Sequence, residues 1–374
     1  MNILHYTGMP YTTKYGGIEK WFVEFGKIAQ NKNHNVYLAY TETVPDIPEI
    51  VNDYKQSNIE VIIIPEKDNN QLLSVIDKYK IDIFISHFPE PYTIPLFVAK
   101  NTKCKVFSFF HCYNYYSQLS WIKNFKEKLA STWYRWQVFK SQFYINHFIA
   151  VSKAVKKQFC QYCLLMPYKV SNIYLGMNPN TIQYNTIQYN TIPIITCIAC
   201  HGNCKGIDIL IEATKILKAR NLKFKIQQVG GGMTFNDGKD TAQLHSLVDK
   251  YGLNDCFEWL GVRNDIDDIL SNSDIYVQPS RREAISLTVA EAMMHRLPVV
   301  ASNTDGIPEY INHQINGYLY NNNNPIELAD YMQYLIENPQ KRHELGENAF
   351  RTINSSKFNR TANILYFFEK FIDC

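Results

Sequence analysis

Residues 278–311 read QPSRREAISLTVAEAMMHRLPVVASNTDGIPEYI, and this stretch carries the densest chemistry of the chain. A strand ends at its start, a loop with Arg281, Arg282 and Glu283 follows, and a helix opens near Ser286. A second apolar run, PVVAS, comes after the helix. The order strand, loop, helix, strand is typical of parallel sheets with helices on both faces, so it predicts an α/β fold.

The helix in this stretch is expected to begin with an anion site. Ser286 is a suitable N-cap for the run Leu287–Met294. The N–H groups of Leu287 and Thr288 then lack partners within the helix and suit a diphosphate. Glu291 lies on the second turn, and its carboxylate can reach back because helical side chains lean toward the N-terminus.

Two glutamates, Glu283 and Glu291, would flank such an anion. A carboxylate beside a phosphate is repelled unless it accepts hydrogen bonds from hydroxyl groups, which a ribose and a hexose supply. The alternative is that both residues only enrich a solvated helix start, where acidic residues are favoured. An isolated E-x7-E favours that alternative, but the strand–loop–helix context with PVVAS and GIPE downstream favours ligand binding.

The alternation of strands and helices extends in both directions from this stretch and predicts doubly wound sheets. We expect a helix at Ile18–Ala29. The expected strands are Asn2–Tyr6, Val36–Tyr40, Ile59–Ile64, Ile81–Ser86, Lys105–Phe109, Phe148–Val151, Ile194–Ala199, Lys225–Val229, Phe257–Leu260, Ile275–Val277 and Pro298–Ala301.

A tandem repeat, NTIQYNTIQYNTI at residues 180–192, interrupts this alternation. It is polar and β-prone without helical periodicity, as is typical of an interdomain linker. We therefore predict a Rossmann-like domain at 1–178, a linker at 179–193 and a second Rossmann-like domain at 194–358. A terminal helix at about 359–374 would pack back on the first domain. The two domains would face each other across a ligand cleft near the carboxyl ends of their strands.

The composition fits a globular protein, with 46% hydrophobic and 20% charged residues. The net charge of +3 is too small to indicate nucleic acid by itself. Met1–Gly8 is a strand candidate and not a secretory signal, and no apolar run approaches the roughly 20 residues of a membrane span. We expect a cytoplasmic protein whose membrane contact, if any, is peripheral.

Nine cysteines at irregular spacings favour a reducing compartment. The pairs Cys160/Cys163 and Cys197/Cys200 have zinc-ligand spacing, which leaves a tetrahedral site as an alternative. However, Cys197 and Cys200 lie in the strand-like run IITCIAC, where successive side chains point to opposite faces. Free cysteine is also a common core residue, so we predict no metal.

Several short glycine-, proline- and glutamate-containing motifs follow one another along the chain. They are Gly16–Glu19, Lys205-Gly206, Gly230–Gly232, Pro279-Ser280, the span from Glu283 to Glu291-Ala292, Pro298–Ala301, Gly306–Glu309 and Asn316-Gly317. In this arrangement the chain resembles the retaining family-four glycosyltransferases over nearly its whole length, most strongly in the second half. The resemblance implies the GT-B fold, with the acceptor-side domain first and the nucleotide-sugar domain second.

By this resemblance, Glu291 holds the ribose of the nucleotide and Glu283 lies beside the donor sugar. Lys205 neutralises the diphosphate, a role that fits the reaction because negative charge accumulates on the leaving phosphate as the glycosidic bond breaks. The alternative for Lys205 is an ordinary surface lysine at a helix start, although the helix dipole favours acids there.

The resemblance also assigns residues around the donor. Gly16 and Gly17 form a glycine loop that approaches the diphosphate, and Gly231 belongs to a second such loop. His111, after the apolar strand KVFSFF, contacts the donor sugar near the reacting carbon. The alternative for His111 is a structural histidine at a strand end.

The sequence departs from the family pattern before Lys205, where the family carries an arginine as a second clamp on the diphosphate. Residues 200–203 read CHGN and contain no arginine. Either His201 or one of Arg281 and Arg282 substitutes, or stabilisation of the leaving group is weaker.

A basic aromatic block lies between Tyr113 and Tyr144. Its aromatic residues include Trp121, Phe125, Trp133, Tyr134, Trp136 and Phe139, and its basic residues are Lys123, Lys126, Lys128, Arg135 and Lys140. Such a segment suits an anionic membrane surface. Stacking on single-stranded nucleic acid and a core helix with a basic rim are the alternatives. We predict the membrane surface, at the inner face of the cell membrane, and no nucleic acid.

The sequence thus predicts a retaining hexosyltransferase that needs neither a metal nor a cofactor. Its substrates would be a nucleotide diphosphate sugar and a saccharide or lipid-linked glycan acceptor. A noncatalytic sugar-nucleotide-binding scaffold is the alternative that the missing arginine supports. An oxidoreductase is disfavoured because no G-x-G-x-x-G follows the first strand.

Overall fold

The computed structural model describes residues 1–8, 16–42, 47–65, 68–87, 93–111, 125–178, 190–232 and 239–373. The chain divides into two compact units. The first consists of Met1–Gly176 with Arg360–Cys374, and the second of Met177–Asn359. Most of the tandem repeat, at 179–189, lies outside the described residues.

The first unit is built on a parallel sheet in the order β3-β2-β1-β4-β5-β6-β7. The strands are β1 (Asn2–Tyr6), β2 (Asn35–Tyr40), β3 (Ile59–Ile63), β4 (Ile83–His87), β5 (Lys105–Phe110), β6 (His147–Ala150) and β7 (Val170–Asn172). The helices are α1 (Gly17–Asn31), α2 (Pro48–Gln56), α3 (Asn69–Lys78), α4 (Thr93–Asn101), α5 (Phe125–Ser141) and α6 (Lys153–Tyr162). A 3₁₀ turn, Pro167–Lys169, precedes β7.

The second unit repeats this design with a parallel sheet in the order β10-β9-β8-β11-β12-β13. The strands are β8 (Ile194–Ile198), β9 (Lys225–Val229), β10 (Phe257–Gly261), β11 (Ile275–Gln278), β12 (Val299–Ser302) and β13 (Tyr318–Tyr320). The helices are α7 (Ile207–Ala219), α8 (Lys239–Lys250), α9 (Ile266–Ser271), α10 (Leu287–Met294), α11 (Pro325–Glu337) and α12 (Pro339–Ile353). The 3₁₀ turns are Asn203–Lys205, Ile307–Glu309 and Ser356–Phe358.

The last helix, α13 (Arg360–Phe367), belongs to the first unit and continues as a π-helical turn over Phe368–Ile372. Phe367 and Phe368 are fully buried, and the ring of Phe368 lies 4.7 Å from that of Phe25 in α1. Beyond the turn, Asp373 accepts a hydrogen bond of 2.7 Å from Lys32. Aromatic packing and this ion pair tie the final segment to α1.

The structure confirms the eleven predicted strands, most of them within one or two residues. The segments β7 and β13 were not predicted, because each has only three residues and a strand of that length shows no reliable alternation. The first predicted helix extends from Gly17 to Asn31, and α10 has the predicted bounds, Leu287–Met294. An α/β, doubly wound architecture is therefore confirmed for both units.

Candidate functional site

The candidate site lies at the carboxyl ends of β8 and β11, which are neighbours in the middle of the second sheet. From β8 the strand order continues through β9 to β10, and from β11 it continues through β12 to β13. The connections therefore leave these two strands in opposite directions, and in open parallel sheets such a point is where ligands bind, beyond the carboxyl ends of the strands. Lys205 follows β8, and Glu283 follows β11.

Gly206 allows the two loops to meet. Its φ is +66°, and a Cβ atom there would lie 2.1 Å from the carbonyl oxygen of Pro279, so only glycine fits without displacing the backbone. The loops are further joined where the N–H of Arg281 donates to the carbonyl oxygen of Cys204 at 2.8 Å. Lys205, at the end of its 3₁₀ turn, is thereby held against the loop that follows β11.

Lys205 and Glu283 form an ion pair across these loops, with 2.7 Å between Nζ and Oε2. The two side chains are only 25% and 11% exposed. Burial by itself would lower the pKa of Lys205, but the charge and hydrogen bond of Glu283 together raise it. The ammonium therefore stays charged within the site.

The N-terminus of α10 lies at the carboxyl end of β11 as well. Ser286 is its N-cap, and its Oγ accepts a hydrogen bond from the N–H of Val289 at 3.3 Å, as the sequence predicts. The first turn of a helix leaves its N–H groups without acceptors inside the helix, so Leu287 and Thr288 present theirs at this end. This end of α10 suits an anion.

Glu291 lies on the second turn of α10 and is half-buried. Its charge contributes to the raised pKa of the Tyr276 phenol in β11, which burial raises most. The structure thus places Glu291 beside the strand that leads into the site, on the helix whose N-terminus faces it.

The two arginines proposed as substitute clamps are both paired with acids of the same unit. Arg281 donates to Asp208 through two hydrogen bonds of 2.8 and 2.5 Å, and to Asn323 at 2.7 Å. Arg282 donates to Asp305 at 2.6 Å. In this structure both guanidinium charges are balanced by carboxylates, and they join loops of the unit to one another.

His201, the third proposed clamp, is also engaged. Its Nε2 lies 2.9 Å from Oε1 of Gln228, and its Nδ1 lies 2.8 Å from Oγ1 of Thr241. Burial lowers its pKa, so the ring is neutral near pH 7. As placed here, His201 joins β9 to the start of α8 and carries no positive charge.

The glycine loop after β9 packs on the loop after β8. Gly230 has a φ of +127°, and a Cβ atom there would lie 2.1 Å from the carbonyl oxygen of Ala199. The next residue, Gly231, accepts a hydrogen bond from the N–H of His201 at 2.9 Å. Gly231 therefore lies beside the chain that leads to Lys205.

The remaining proposed donor residues lie in the first unit. Gly16 is the N-cap of α1 and Gly17 is its first residue. The N–H of Gly16 donates to Oε2 of Glu19 at 2.9 Å, which fixes the entry into the helix. His111 directly follows β5.

His111 ends a chain of three histidines that sequence analysis missed, of which His5 and His87 are fully buried and His111 is half-buried. Its Nε2 lies 2.8 Å from Nδ1 of His87, whose Nε2 lies 2.9 Å from Nδ1 of His5. Burial lowers the pKa of His5 and of His111 to about 3, and burial with the two neighbours lowers that of His87. The three rings are thus neutral near pH 7. The adjacency of β1, β4 and β5 brings them together, and no local motif signals it.

Sequence analysis also missed Gln278, the last residue of β11, which is 1% exposed. Its side chain contacts both the N-terminal turn of α10 and the loop that holds Glu283. The available signal was a glutamine that ends an otherwise apolar strand, IYVQ.

The basic aromatic block is described in part, since Trp121 and Lys123 lie outside the described residues. On α5, Trp133 and Trp136 are 49% and 55% exposed, whereas Tyr134 is buried. Phe143, just after the helix, is 61% exposed. The block therefore presents aromatic rings outward as well as into the core.

Among the described residues, no group of three or more His, Cys, Asp or Glu side chains could hold a metal ion. None of the helices in this part of the chain combines the length and the apolar composition that a membrane span requires. Cys197 is fully buried in the core of the second unit, as the core interpretation predicts.

Two family models match the chain in succession. The model for Glycosyltransferase Family 4 matches residues 15–181, and the model for Glycosyl transferases group 1 matches residues 186–352. Among solved structures, that of the Anabaena protein HepE in complex with UDP-glucose aligns over 100% of both chains with a TM-score of 0.81 at 19% identity.

Curated relatives match shorter segments. The amylovoran biosynthesis glycosyltransferase AmsK of Erwinia amylovora is 34% identical over 40% of this chain and 38% of its own. The N,N'-diacetylbacillosaminyl-diphospho-undecaprenol alpha-1,3-N-acetylgalactosaminyltransferase of Campylobacter jejuni is 27% identical over 47% of this chain and 44% of its own. The chain thus spans less than half the length of the curated relatives it matches.

Two Rossmann-like domains, each on a parallel sheet, together with the similarity to the HepE structure, define the GT-B class of glycosyltransferase folds. The GT-B prediction is confirmed. Because the two family models follow one another along most of the sequence, the chain belongs to glycosyltransferase family 4.

Proposed function

We propose that this protein transfers a hexose from a nucleotide diphosphate sugar to a saccharide or lipid-linked glycan acceptor. The proposal is carried by one observation. Lys205, Glu283 and the N-terminus of α10 all lie at the carboxyl ends of the central strands β8 and β11. A cation and free amides suit a diphosphate, and a carboxylate beside them suits sugar hydroxyls.

In the proposed reaction, the bond from the anomeric carbon to the diphosphate oxygen breaks. The acceptor oxygen bonds to the same carbon, and the acceptor proton passes to the departing diphosphate. Charge grows on the leaving group during this step, so Lys205 and the N–H groups of Leu287 and Thr288 stabilise the transition state more than the bound donor.

We further propose that the configuration at the anomeric carbon is retained and that no metal takes part. Retention rests on the family resemblance alone. The proposal without a metal rests on Lys205, whose ammonium is kept charged by Glu283 and supplies the positive charge that the leaving group requires. Gly16, Gly17, Gly231, Glu291 and His111 enter the proposal in the donor-binding roles that the resemblance implies.

The names of similar proteins support the substrate classes. HepE is described in complex with UDP-glucose. AmsK is named for amylovoran biosynthesis, and the Campylobacter enzyme for a diphospho-undecaprenol acceptor. A nucleotide sugar as donor and a growing glycan, free or lipid-linked, as acceptor are consistent with these names.

A noncatalytic sugar-nucleotide-binding scaffold is the second candidate. It is favoured by the pairing of Arg281 with Asp208 and of Arg282 with Asp305, since neither guanidinium replaces the missing clamp as placed. Such a protein would bind the nucleotide without turnover.

We also propose peripheral association with an anionic membrane surface through α5. Leu129, Trp133 and Trp136 are spaced by four and three residues, so they share one face of the helix, and all three are exposed. Lys140 continues this face and lies 5.9 Å from the ring centre of Trp136. Exposed aromatic rings beside basic side chains suit the interface of an anionic bilayer.

The test is to incubate the protein with UDP-, GDP- and ADP-sugars and a membrane extract of lipid-linked acceptors, with and without EDTA, and to follow release of nucleoside diphosphate. We expect release with one donor class, unaffected by EDTA, and a product whose anomeric coupling matches that of the donor. Nucleotide binding without release under all conditions supports the scaffold. Failure to bind any nucleoside diphosphate contradicts both candidates.

A further inference from the structure

Gln278 is a polar residue at a position where an apolar one would be expected. It ends β11, a central strand of the second sheet, and is paired to β12 through Ala301. The other three residues of the strand are buried, as Gln278 is. Burying an amide is costly unless both its oxygen and its nitrogen find partners, so the partners of Gln278 indicate what it does.

The amide oxygen faces α10. It accepts a hydrogen bond from the hydroxyl of Thr288 at 3.1 Å and one from the phenol of Tyr276 at 2.8 Å. Thr288 is in the first turn of the helix, and its Oγ1 lies 3.2 Å from Oγ of the N-cap Ser286. One end of the amide therefore fixes the turn that would face the diphosphate.

The amide nitrogen faces the loop that holds Glu283. It donates to Oγ of Ser280 at 2.8 Å. Because a serine hydroxyl has one hydrogen, Ser280 then directs that hydrogen to Oε2 of Glu283, at 3.2 Å. The same Oε2 atom accepts the hydrogen bond from Lys205 at 2.7 Å. Glu283 is thus held from two sides.

We propose that Gln278 is a positioning residue for the transfer reaction. It links the first turn of α10 to the carboxylate of Glu283 through Ser280, so that the parts expected to meet the diphosphate and the sugar keep one fixed geometry. An amide suits this place because it accepts at one end and donates at the other. The inference rests on the proposed function, since it assumes that Glu283 lies beside the donor sugar.

The test compares Gln278→Met, which keeps the length of the side chain and removes both contacts, with Ser280→Ala and the double variant. Free nucleoside diphosphate does not reach the sugar subsite, so in Ser280→Ala, which disturbs only the contact to Glu283, its Kd should change by less than about threefold. Gln278→Met also releases the first turn of α10, so it should weaken free nucleoside diphosphate as well. In both variants the Kd for the intact nucleotide sugar, or kcat, should worsen by about tenfold or more, the effect of losing a hydrogen bond to a charged group. Equal weakening of both ligands in Ser280→Ala would indicate a general collapse of the unit and would overturn the proposal.

The double variant tests whether Gln278 acts on Glu283 through Ser280. If Gln278 acts through Ser280, the double variant should be no worse than the poorer single variant, whereas additive losses contradict the link. Thr214→Val is the matched control, because Thr214 is a buried residue of the same unit whose hydroxyl donates to Leu210 within α7. It should leave the ratio of the two affinities unchanged.

A second measurement keeps the inference separate from the proposed function. In the ligand-free protein, NMR titration of the Lys205 ammonium reports whether Glu283 is still held against it. The titratable groups that interact with Lys205 include Glu283, Cys197, Cys200 and Cys204, and of these Glu283 is the one bonded to Ser280. The pKa of Lys205 should fall in Gln278→Met and in Ser280→Ala, and an unchanged pKa refutes the positioning role even if the wild type transfers no sugar.

Discussion

The Nζ atom of Lys205 lies 2.7 Å from Oε2 of Glu283, so the cation proposed for the diphosphate is already paired with the carboxylate proposed for the sugar. A donor that enters this site must share Lys205 with Glu283. The ion pair therefore acts both as a local support and as a competitor for the ligand.

Glu283→Gln should separate these two effects. Removing the negative charge leaves the positive charge of Lys205 to the ligand, so free nucleoside diphosphate should bind about threefold tighter or more. Transfer of the hexose should fall, because the sugar loses its carboxylate. Calorimetry with nucleoside diphosphate and a release assay with nucleotide sugar measure the two effects. Weaker binding of the free diphosphate would show that Glu283 helps binding by positioning Lys205 more than it hinders binding by competing with the ligand for Lys205.

Lys205→Met should remove most of the stabilisation of the leaving group. We expect kcat to fall by about 100-fold or more, since preorganised charge at a developing anion is worth several kcal/mol. Arg281→Met is the matched control. It removes a positive charge that Asp208 balances, so it should cost about 1 kcal/mol of stability and change nucleotide affinity by less than about threefold. A tenfold loss of affinity in Arg281→Met would mean that Arg281 releases Asp208 to clamp the ligand.

Gly206→Ala should disturb the meeting of the two loops. The added Cβ would lie 2.1 Å from the Pro279 carbonyl oxygen, in addition to the strain of a residue at φ +66°. Gly252→Ala carries nearly the same backbone strain, at φ +61°, with no atom within 4 Å of the new Cβ. Urea unfolding should therefore show a loss of about 1 kcal/mol for Gly252→Ala and a clearly larger loss for Gly206→Ala. Equal losses would mean that separating the two loops does not lower the free energy of unfolding.

Much of the secondary structure can be predicted from residues that are close together in the sequence. The β-prone runs and the N-cap Ser286 are properties of neighbouring residues, so they predict eleven strands and the bounds of α10. The contacts of the site are not local. Gln278 reaches Ser280 and Thr288 only because β11 ends beside α10, and Arg281 reaches Asp208 across 73 residues. A sequence shows that such side chains exist, but the fold decides which charges cancel.

The exposed face of α5 gives a prediction for membrane binding. In Trp133→Ser/Trp136→Ser, two exposed rings are lost, so the fraction that sediments with vesicles of anionic lipid should fall severalfold. Ile326→Ser changes an exposed apolar residue of the second unit and should have no effect. High salt should release the wild type, because the basic side chains contribute to the attraction. If the wild type does not sediment at low salt, the membrane proposal is wrong.

The histidine chain predicts how stability depends on pH. The pKa values of His5, His87 and His111 are lowered in the folded protein, to about 3 for His5 and His111, whereas the unfolded chain takes up protons near the ordinary value of 6.5. As the pH falls below 6.5, protonation therefore favours the unfolded state, and the stability present above pH 6.5 is progressively lost down to about pH 3. Each histidine should contribute about 1.4 kcal/mol per pH unit to this slope.

Replacing one of the three histidines should reduce the dependence of the free energy of unfolding on pH by the contribution of that histidine. In His5→Gln the side chain can still bond His87 but does not titrate, so the free energy of unfolding should fall less steeply between pH 6.5 and 5 than in the wild type. Val138→Ala is the control, because it deletes buried apolar atoms of the same unit and should lower the free energy of unfolding at every pH without changing the slope. Urea unfolding at a series of pH values measures both. If His5→Gln keeps the wild-type slope, His5 takes up its proton at the same pH in the folded and the unfolded protein, and the three rings do not form the neutral chain that their 2.8 and 2.9 Å contacts indicate.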